Sequence, residues 1–130
     1  MYLLKKQQNQ MLNTRLKSFK YAFKGIADLF KSQANARIHF ILSLLSITAG
    51  LYFQISTIEW YIVILCIGIV FGAEAFNTAL EYLTDLVSPE YHELAGKAKD
   101  AAAAGVLFVA IAAFIVGICI FVPRIYALLL

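Results

Sequence analysis

Three long stretches without a charged side chain constrain the fold of this chain more than any other feature of its sequence. No Asp, Glu, Lys or Arg occurs among residues 38–58, which would form a helix of ~32 Å, the thickness of a membrane hydrocarbon core. A second charge-free stretch covers residues 60–73, and a third covers residues 101–122. The sequence therefore predicts three membrane-spanning helices.

The overall composition argues against an ordinary soluble protein. Hydrophobic residues make up 62% of the 130 residues and charged residues 15%, whereas soluble domains average about 45–50% and about 25%. A soluble helical bundle of this length could not bury so much apolar surface. Nucleic-acid binding is disfavoured as well, because the basic residues flank a span and form no nucleic-acid-binding motif.

Lysine and arginine are unevenly distributed along the chain. Eight of the 11 lie in the first 37 residues, Lys97 and Lys99 lie between the second and third spans, and the loop near Gln54 has none. Loops rich in lysine and arginine stay on the cytoplasmic side of a membrane. We therefore expect the N-terminus and the second loop to be cytoplasmic.

The segment before the first span shows helical periodicity. Its apolar residues recur at intervals of four and three: Leu12, Leu16, Phe19, Phe23, Ile26 and Phe30. Lysines lie off this stripe, which is typical of an amphipathic helix in the interface of an anionic membrane. The alternative is a solvated helix packed on a partner.

The predicted organisation is all-α, with one membrane domain over residues 1–130. Ser88 and Pro89 suit the N-cap and first position of the third membrane helix. The expected elements are an amphipathic surface helix and three membrane helices, at about residues 12–33, 37–55, 59–85 and 90–122.

Polar residues interrupt the end of the second span. At ~100° per residue, one helix face would present five of them: Glu74, Asn77, Thr78, Glu81 and Asp85. Glu74 lies 14 residues after Trp60, or ~21 Å along the helix, near headgroup depth in the inner leaflet. Because an acid at that depth is costly, it indicates a functional site. Glu81 and Asp85 have the alternative of being solvated residues at the helix end.

Residues of both charge signs meet at the same membrane surface. Lys97, Lys99 and Asp100 follow shortly after the polar face. Carboxylate and amide oxygens suit Mg²⁺, which is commonly shared with nucleotide phosphates, and lysines balance phosphate charge. A carboxylate at headgroup depth could take a proton from a lipid hydroxyl. These features suggest phosphoryl transfer from a nucleotide to a lipid alcohol, although neither a Walker A loop nor a Gly-rich kinase loop is present.

The stretch EAFNTALEYLTDLVSPEYHELAGKAKDAAAAGVL, residues 74–107, resembles the central motif of the prokaryotic diacylglycerol kinase family, which includes the undecaprenol kinases. The segments RLKSFKYAFKGI and NARIH resemble the family's amphipathic helix and the start of its first span. The resemblance covers about residues 12–122. It implies a homotrimer in the bacterial inner membrane, with active sites shared between chains at the cytoplasmic face.

The resemblance also implies roles for individual residues. Glu74 matches the general base that faces the lipid hydroxyl, Asn77 helps to position it, and Arg15 matches a basic residue on the substrate side. Glu81 and Gln33 match the ligands of the Mg²⁺ that accompanies ATP. The positions that match nucleotide contacts are Tyr21, Gln33, Glu81, Glu90, Tyr91, His92, Lys99 and Asp100.

One position departs from the family pattern. The family usually has Glu where this chain has Gln33. Glutamine keeps a carbonyl oxygen but lacks the charge, which predicts weaker metal binding.

Other functions and substrates stay open at this stage. A small proton-coupled transporter could use a membrane glutamate, and a non-catalytic membrane subunit could use Gly68 and Gly72 for close packing. Neither alternative requires the Lys99–Asp100 pair. The lipid substrate could be diacylglycerol or undecaprenol, and the sequence RIH at residues 37–39 only leans toward the latter.

Overall fold

The computed structural model describes the backbone of residues 2–130 and the side chains of Met11 and residues 14–130. Its elements are four helices, α1 (Tyr2–Ser32), α2 (Ala34–Tyr52), α3 (Thr57–Val87) and α4 (Glu93–Leu128). No β-strand occurs in residues 2–130. The helices α2, α3 and α4 are long and apolar enough to cross a membrane, which confirms the predicted three candidate spans.

The chain divides into two compact units after Ser32. The first unit is α1, which is already helical at Tyr2, well before the predicted start near residue 12. Its stripe residues Leu16, Phe19 and Phe23 are exposed, while the side chain of Leu12 lies outside the described residues. Gln33 separates α1 from α2 with an extended backbone.

The second unit, Gln33–Leu130, holds the three candidate spans. Helix α3 packs against both α2 and α4. A small apolar cluster of Ile55, Val63 and Ile120 fills the end of this unit near the loop from α2 to α3. There Gly50 lies against Trp60, and a Cβ at Gly50 would come within 2.9 Å of its ring. A larger residue at this position would therefore push the two helices apart.

Paired side chains fix the end of the unit where α3 begins. Ser56 and Glu59 form a reciprocal capping box, in which the Ser56 N–H donates to the Glu59 carboxylate at 2.7 Å. Arg124 of α4 donates to the same carboxylate at 2.8 Å and to the Ile120 carbonyl at 2.6 Å. The guanidinium therefore ties the last turns of α4 to the first turn of α3.

The limits of α4 differ from the predicted 90–122. Ser88 is the C-cap of α3 rather than the N-cap of α4, and its N–H donates to the Thr84 carbonyl at 2.8 Å. The N-cap of α4 is His92, whose Nδ1 accepts the Leu94 N–H at 3.2 Å, so the helix begins at Glu93. At its other end α4 continues through Pro123 to Leu128. Proline removes only one backbone donor, and the Arg124 side chain binds a carbonyl in the turn before it.

Candidate active site

The polar face predicted on the second span lies against the rest of the protein. Glu74, Asn77 and Thr78 are the buried polar residues in the described part of the chain, with exposed fractions of 1%, 6% and 5%. Glu81, two turns after Glu74 on the same face, is half-buried, and Asp85 is exposed. The face therefore runs from a buried carboxylate to a solvated one.

Glu81 is the centre of a small hydrogen-bond network between α3 and the start of α2. The Asn77 side-chain N–H donates to Glu81 Oε1 at 3.0 Å. The Gln33 side-chain N–H donates to Glu81 Oε2 at 3.0 Å. The structure thus brings together Gln33, Asn77 and Glu81, although Gln33 and Glu81 are 48 positions apart in the sequence.

Glu74 has no comparable partner. Neither of its carboxylate oxygens accepts a hydrogen bond, and the same is true of the side-chain oxygen of Asn77. The neighbouring Thr78 hydroxyl donates to the Glu74 backbone carbonyl at 2.9 Å, so it does not satisfy the carboxylate. Buried oxygens without partners are costly and uncommon. These three oxygens are therefore free to bind a ligand.

The donor set around Glu81 is compatible with a hard cation shared with a ligand. Its members offer carboxylate and amide oxygens, which Mg²⁺ prefers. Among the described residues, however, no group of three or more His, Cys, Asp and Glu could hold a metal ion by itself. This composition fits Mg²⁺, which usually takes one or two carboxylates together with phosphate oxygens and water.

The end of α3 and the beginning of α4 present charged pairs to solvent. Lys99 donates to Asp85 at 2.6 Å across the two helices, and Lys97 donates to Glu93 at 2.6 Å along α4. Tyr91 is 93% exposed, and Glu90 and Asp100 are also exposed. His92 and Ser88 line a cavity of about 490 Å³ beside this segment.

Arg15 and Tyr21 belong to α1, in the other unit, and both are exposed. The Lys24 ammonium lies 5.9 Å from the centroid of the Tyr21 ring. At that distance the aromatic face attracts a cation. Tyr21 therefore already has a charged neighbour on its own helix.

Two structural features were missed by the sequence analysis. One is the Arg124–Glu59 pair described above. The other is the position of His39, which lies on the face of α2 that is buried or half-buried. That face has a detectable signal, because its small and polar residues recur at intervals of three and four: Ala36, His39, Ser43, Ser46 and Gly50.

An apolar cavity of about 340 Å³ opens between the three spans. His39 and Ser43 line it from α2, Val63 and Val70 from α3, and Phe114 from α4. Val70 precedes Glu74 by one helical turn. The cavity therefore extends from the level just beyond the buried carboxylate toward the end of the unit where α3 begins.

Comparison with known proteins places this arrangement in a family. Residues 20–121 match the family model described as prokaryotic diacylglycerol kinase. The chain is 37% identical over 119 residues to the undecaprenol kinase of Bacillus subtilis (strain 168), covering 92% of this chain and 97% of that protein. It is 41% identical over 127 residues to a diacylglycerol kinase of Synechocystis sp., covering 97% of this chain and 73% of that protein. A diacylglycerol kinase of Escherichia coli K12 is 31% identical over 100 residues, covering 77% and 82%.

Proposed function

The chain belongs to the prokaryotic diacylglycerol kinase family and is a membrane lipid kinase, and we propose that it transfers the γ-phosphoryl group of ATP to a lipid alcohol with Glu74 as the general base. The observation that most supports this proposal is the Glu74 carboxylate, which is 1% exposed and accepts no hydrogen bond. A base must be free to accept a proton, and one near headgroup depth can receive it from a lipid hydroxyl.

The proposed chemistry is a direct transfer. The lipid O–H bond breaks as its proton passes to Glu74, and the oxygen forms a bond to the γ-phosphorus. The bond from that phosphorus to the bridging oxygen breaks, and its electron pair leaves with ADP. Asn77 would orient the lipid hydroxyl through its unpartnered side-chain oxygen. Positioning and charge stabilisation supply most of the acceleration in reactions of this kind.

Glu81 and Gln33 are the proposed protein ligands of the Mg²⁺ that accompanies ATP. Bound Mg²⁺ would neutralise charge on the transferring phosphoryl group. In the structure both Glu81 oxygens accept amide N–H groups. Gln33 would have to turn its amide to present the carbonyl oxygen, while Asn77 can keep holding one Glu81 oxygen in place.

The proposed nucleotide surface is the cytoplasmic end of α3 and α4. Lys99 would exchange its contact with Asp85 for the phosphates, and Asp100 follows it on the same helix. The exposed segment before α4 supplies Glu90, Tyr91 and His92. From α1, Tyr21 is proposed to pack beside the nucleotide and Arg15 to contact the lipid headgroup.

We also propose that α1 lies in the membrane interface and that the N-terminus is cytoplasmic, in the bacterial inner membrane. The exposed stripe of Leu16, Phe19 and Phe23 would enter the headgroup region. The absence of lysine and arginine from the loop near Gln54 supports the same orientation.

A homotrimer is the proposed assembly. The three spans of one chain leave Glu81 half-exposed, and polar groups in a membrane face the interior of a bundle. Apart from the adjoining residues and the backbone of α3, no described residue lies within 4 Å of a Cβ built at Gly68 or Gly72, so both remain open to a neighbouring chain. The mass of the protein in detergent, corrected for bound detergent, is expected to equal three chains. A stable and active monomer would contradict the shared-site proposal.

The lipid substrate is tested by direct competition of two candidates. Purified protein in mixed micelles receives radiolabelled ATP with diacylglycerol, with undecaprenol, or with both. Label in the lipid extract identifies the substrate. If neither lipid acquires label under conditions where the protein is folded and Mg²⁺ is present, the proposed pair of substrates is wrong.

Gln33→Glu is expected to lower the free Mg²⁺ needed for half-maximal activity by about tenfold, because ligand charge strongly tunes the binding of hard cations. Gln33 contacts Glu81 directly, so the added charge would face the same cation. The measurement is activity against free Mg²⁺ at saturating ATP. Asn35→Asp is the matched control, since it adds the same charge two residues away at an exposed position. Coincident curves for Gln33→Glu and wild type would remove Gln33 from the metal site.

A further inference from the structure

The buried carboxylate of Glu74 has no hydrogen-bond donor available on its own helix. The Thr78 hydroxyl is committed to a backbone carbonyl at 2.9 Å, and the Asn77 N–H is committed to Glu81 at 3.0 Å. At the N-cap of α2, the side-chain N–H of Gln33 is committed to Glu81 as well. Because Glu74 is 1% exposed, a proton taken up by its carboxylate has to pass to another acceptor before the carboxylate can act again.

The contacts between α2 and α3 place His39 at the level of Glu74. Gln33 meets Glu81 at one end of the helix pair, and Gly50 meets Trp60 at the other, so the two helices are antiparallel. Measured from the Gln33–Glu81 contact, His39 lies six residues after Gln33, or ~9 Å along α2, and Glu74 lies seven residues before Glu81, or ~10.5 Å along α3. Because the helices are antiparallel, these two distances run in the same direction and are nearly equal. Seven residues are about two turns, which keeps Glu74 on the same face as Glu81.

The surroundings of His39 are consistent with that placement. The imidazole is half-buried on the inner face of α2 and lines the apolar cavity beside Val70. The imidazole and the Glu74 carboxylate are not hydrogen-bonded to each other. The backbone carbonyl of His39 accepts the Ser43 hydroxyl at 2.7 Å. Contacts between catalytic groups are often loose before a substrate binds.

We propose that His39 accepts the proton that Glu74 removes from the lipid hydroxyl, and so restores the Glu74 carboxylate for the next turnover. This inference rests on the proposed role of Glu74. The Glu74 O–H bond breaks, the proton bonds to the lone pair of a neutral imidazole nitrogen, and the resulting imidazolium releases it to water. His39 acts through Glu74 and is therefore a positioning and relay residue that does not contact the phosphoryl group.

Few other ionisable groups face His39 in this unit. Helix α3 contributes Glu74, with Glu81 two turns further along, and Cys66 in the cavity wall. Within the described residues, α4 lines the cavity without any titratable side chain. Only a neutral imidazole can accept a proton. Among the side chains that line the cavity, His39 is therefore the one nitrogen base that can take up a proton.

The order of events makes the relay testable with His39→Gln, which keeps a polar side chain but cannot take up the proton. Steady-state kcat is expected to fall by about 10²-fold, the lower end for acid–base groups because water can partly replace the relay. A single turnover, measured by rapid quench with enzyme in excess over ATP, is expected to keep the wild-type rate. Added imidazole should restore turnover in His39→Ala.

Ser43→Ala is the matched control, because Ser43 lies one turn along the same face and lines the same cavity. It should leave both rates unchanged. Equal slowing of the first turnover and the steady state in His39→Gln would indicate a structural role and overturn the relay. An unchanged kcat in His39→Gln would also overturn the relay, provided that wild type phosphorylates lipid and Glu74→Gln does not. If wild type forms no lipid phosphate, or if Glu74→Gln remains active, the proposed role of Glu74 fails and the relay fails with it.

Discussion

Glu74→Gln is expected to lower the rate of phosphoryl transfer by about 10²–10⁴-fold, the usual cost of losing a general base. The amide is the same size as the carboxylate but cannot accept the lipid proton. Because Glu74 has no assigned contact with the nucleotide, ATP affinity should stay near the wild-type value. Single-turnover transfer to lipid and equilibrium binding of a non-hydrolysable ATP analogue measure the two effects separately.

Thr78→Val provides the control for changes in packing at the same buried face. The substitution keeps the branched shape and removes only a hydroxyl that donates to the Glu74 carbonyl. It should retain most of the wild-type activity. Near-native turnover in Glu74→Gln would mean that another group removes the proton. An equal loss of activity in both variants would attribute the effect to the helix rather than to the carboxylate.

Lys99→Met is expected to lower kcat/KM for ATP by about 10²–10³-fold, comparable to the loss of one positioned group that stabilises transition-state charge. Methionine preserves most of the length of the side chain and removes its ammonium. The structure holds Lys99 beside Asp85 at 2.6 Å, at the end of the helices where the nucleotide is proposed to bind. The measurement is the dependence of the initial rate on ATP concentration.

Two further variants separate the role of Lys99 from simpler explanations. Lys97→Met removes the same charge from the same turn, but Lys97 pairs with Glu93 on its own helix. Asp85→Asn breaks the Lys99–Asp85 pair and leaves the ammonium in place. Both variants should remain active. A large loss in Asp85→Asn would indicate that the ion pair, rather than a contact with phosphate, explains the effect of Lys99→Met.

The sequence predicted the parts of this fold that depend on local chemistry. Charge-free stretches identified the three candidate spans, and helical periodicity placed Glu74, Asn77 and Thr78 on one face. These three residues are buried in the structure, while Glu81 on the same face is half-buried and Asp85 is exposed. These predictions succeed because the spacing of residues on a single helix decides them.

The predictions that failed depended on competing local signals. Ser88 followed by proline is a favourable start for a helix, but Ser88 ends α3 and His92 caps α4. The last membrane helix was predicted to end near residue 122, yet α4 continues past Pro123 with the Arg124 side chain bound to a carbonyl of the preceding turn. In both cases a side chain binds a backbone group at the helix end: His92 Nδ1 accepts the Leu94 N–H, and the Arg124 guanidinium donates to the Ile120 carbonyl.

Contacts between distant residues could not be predicted from spacing alone. Arg124 reaches Glu59 across 65 positions. The level of His39 relative to Glu74 depends on the register of α2 against α3. That register is set by the Gln33–Glu81 hydrogen bond and by the fit of Trp60 against Gly50. Neither contact has a signature within a single helix.

The most direct test of the proposal that Glu74 is the general base for lipid phosphorylation is a product balance. Purified protein is incubated with ATP, Mg²⁺ and lipid, and both products are quantified. Mass spectrometry of the lipid extract and chromatography of the nucleotides give the two yields. Wild type should form phosphorylated lipid and ADP in equal amounts, and Glu74→Gln should form neither at a comparable rate. Formation of ADP without phosphorylated lipid, or equal yields from both proteins, would contradict the proposal.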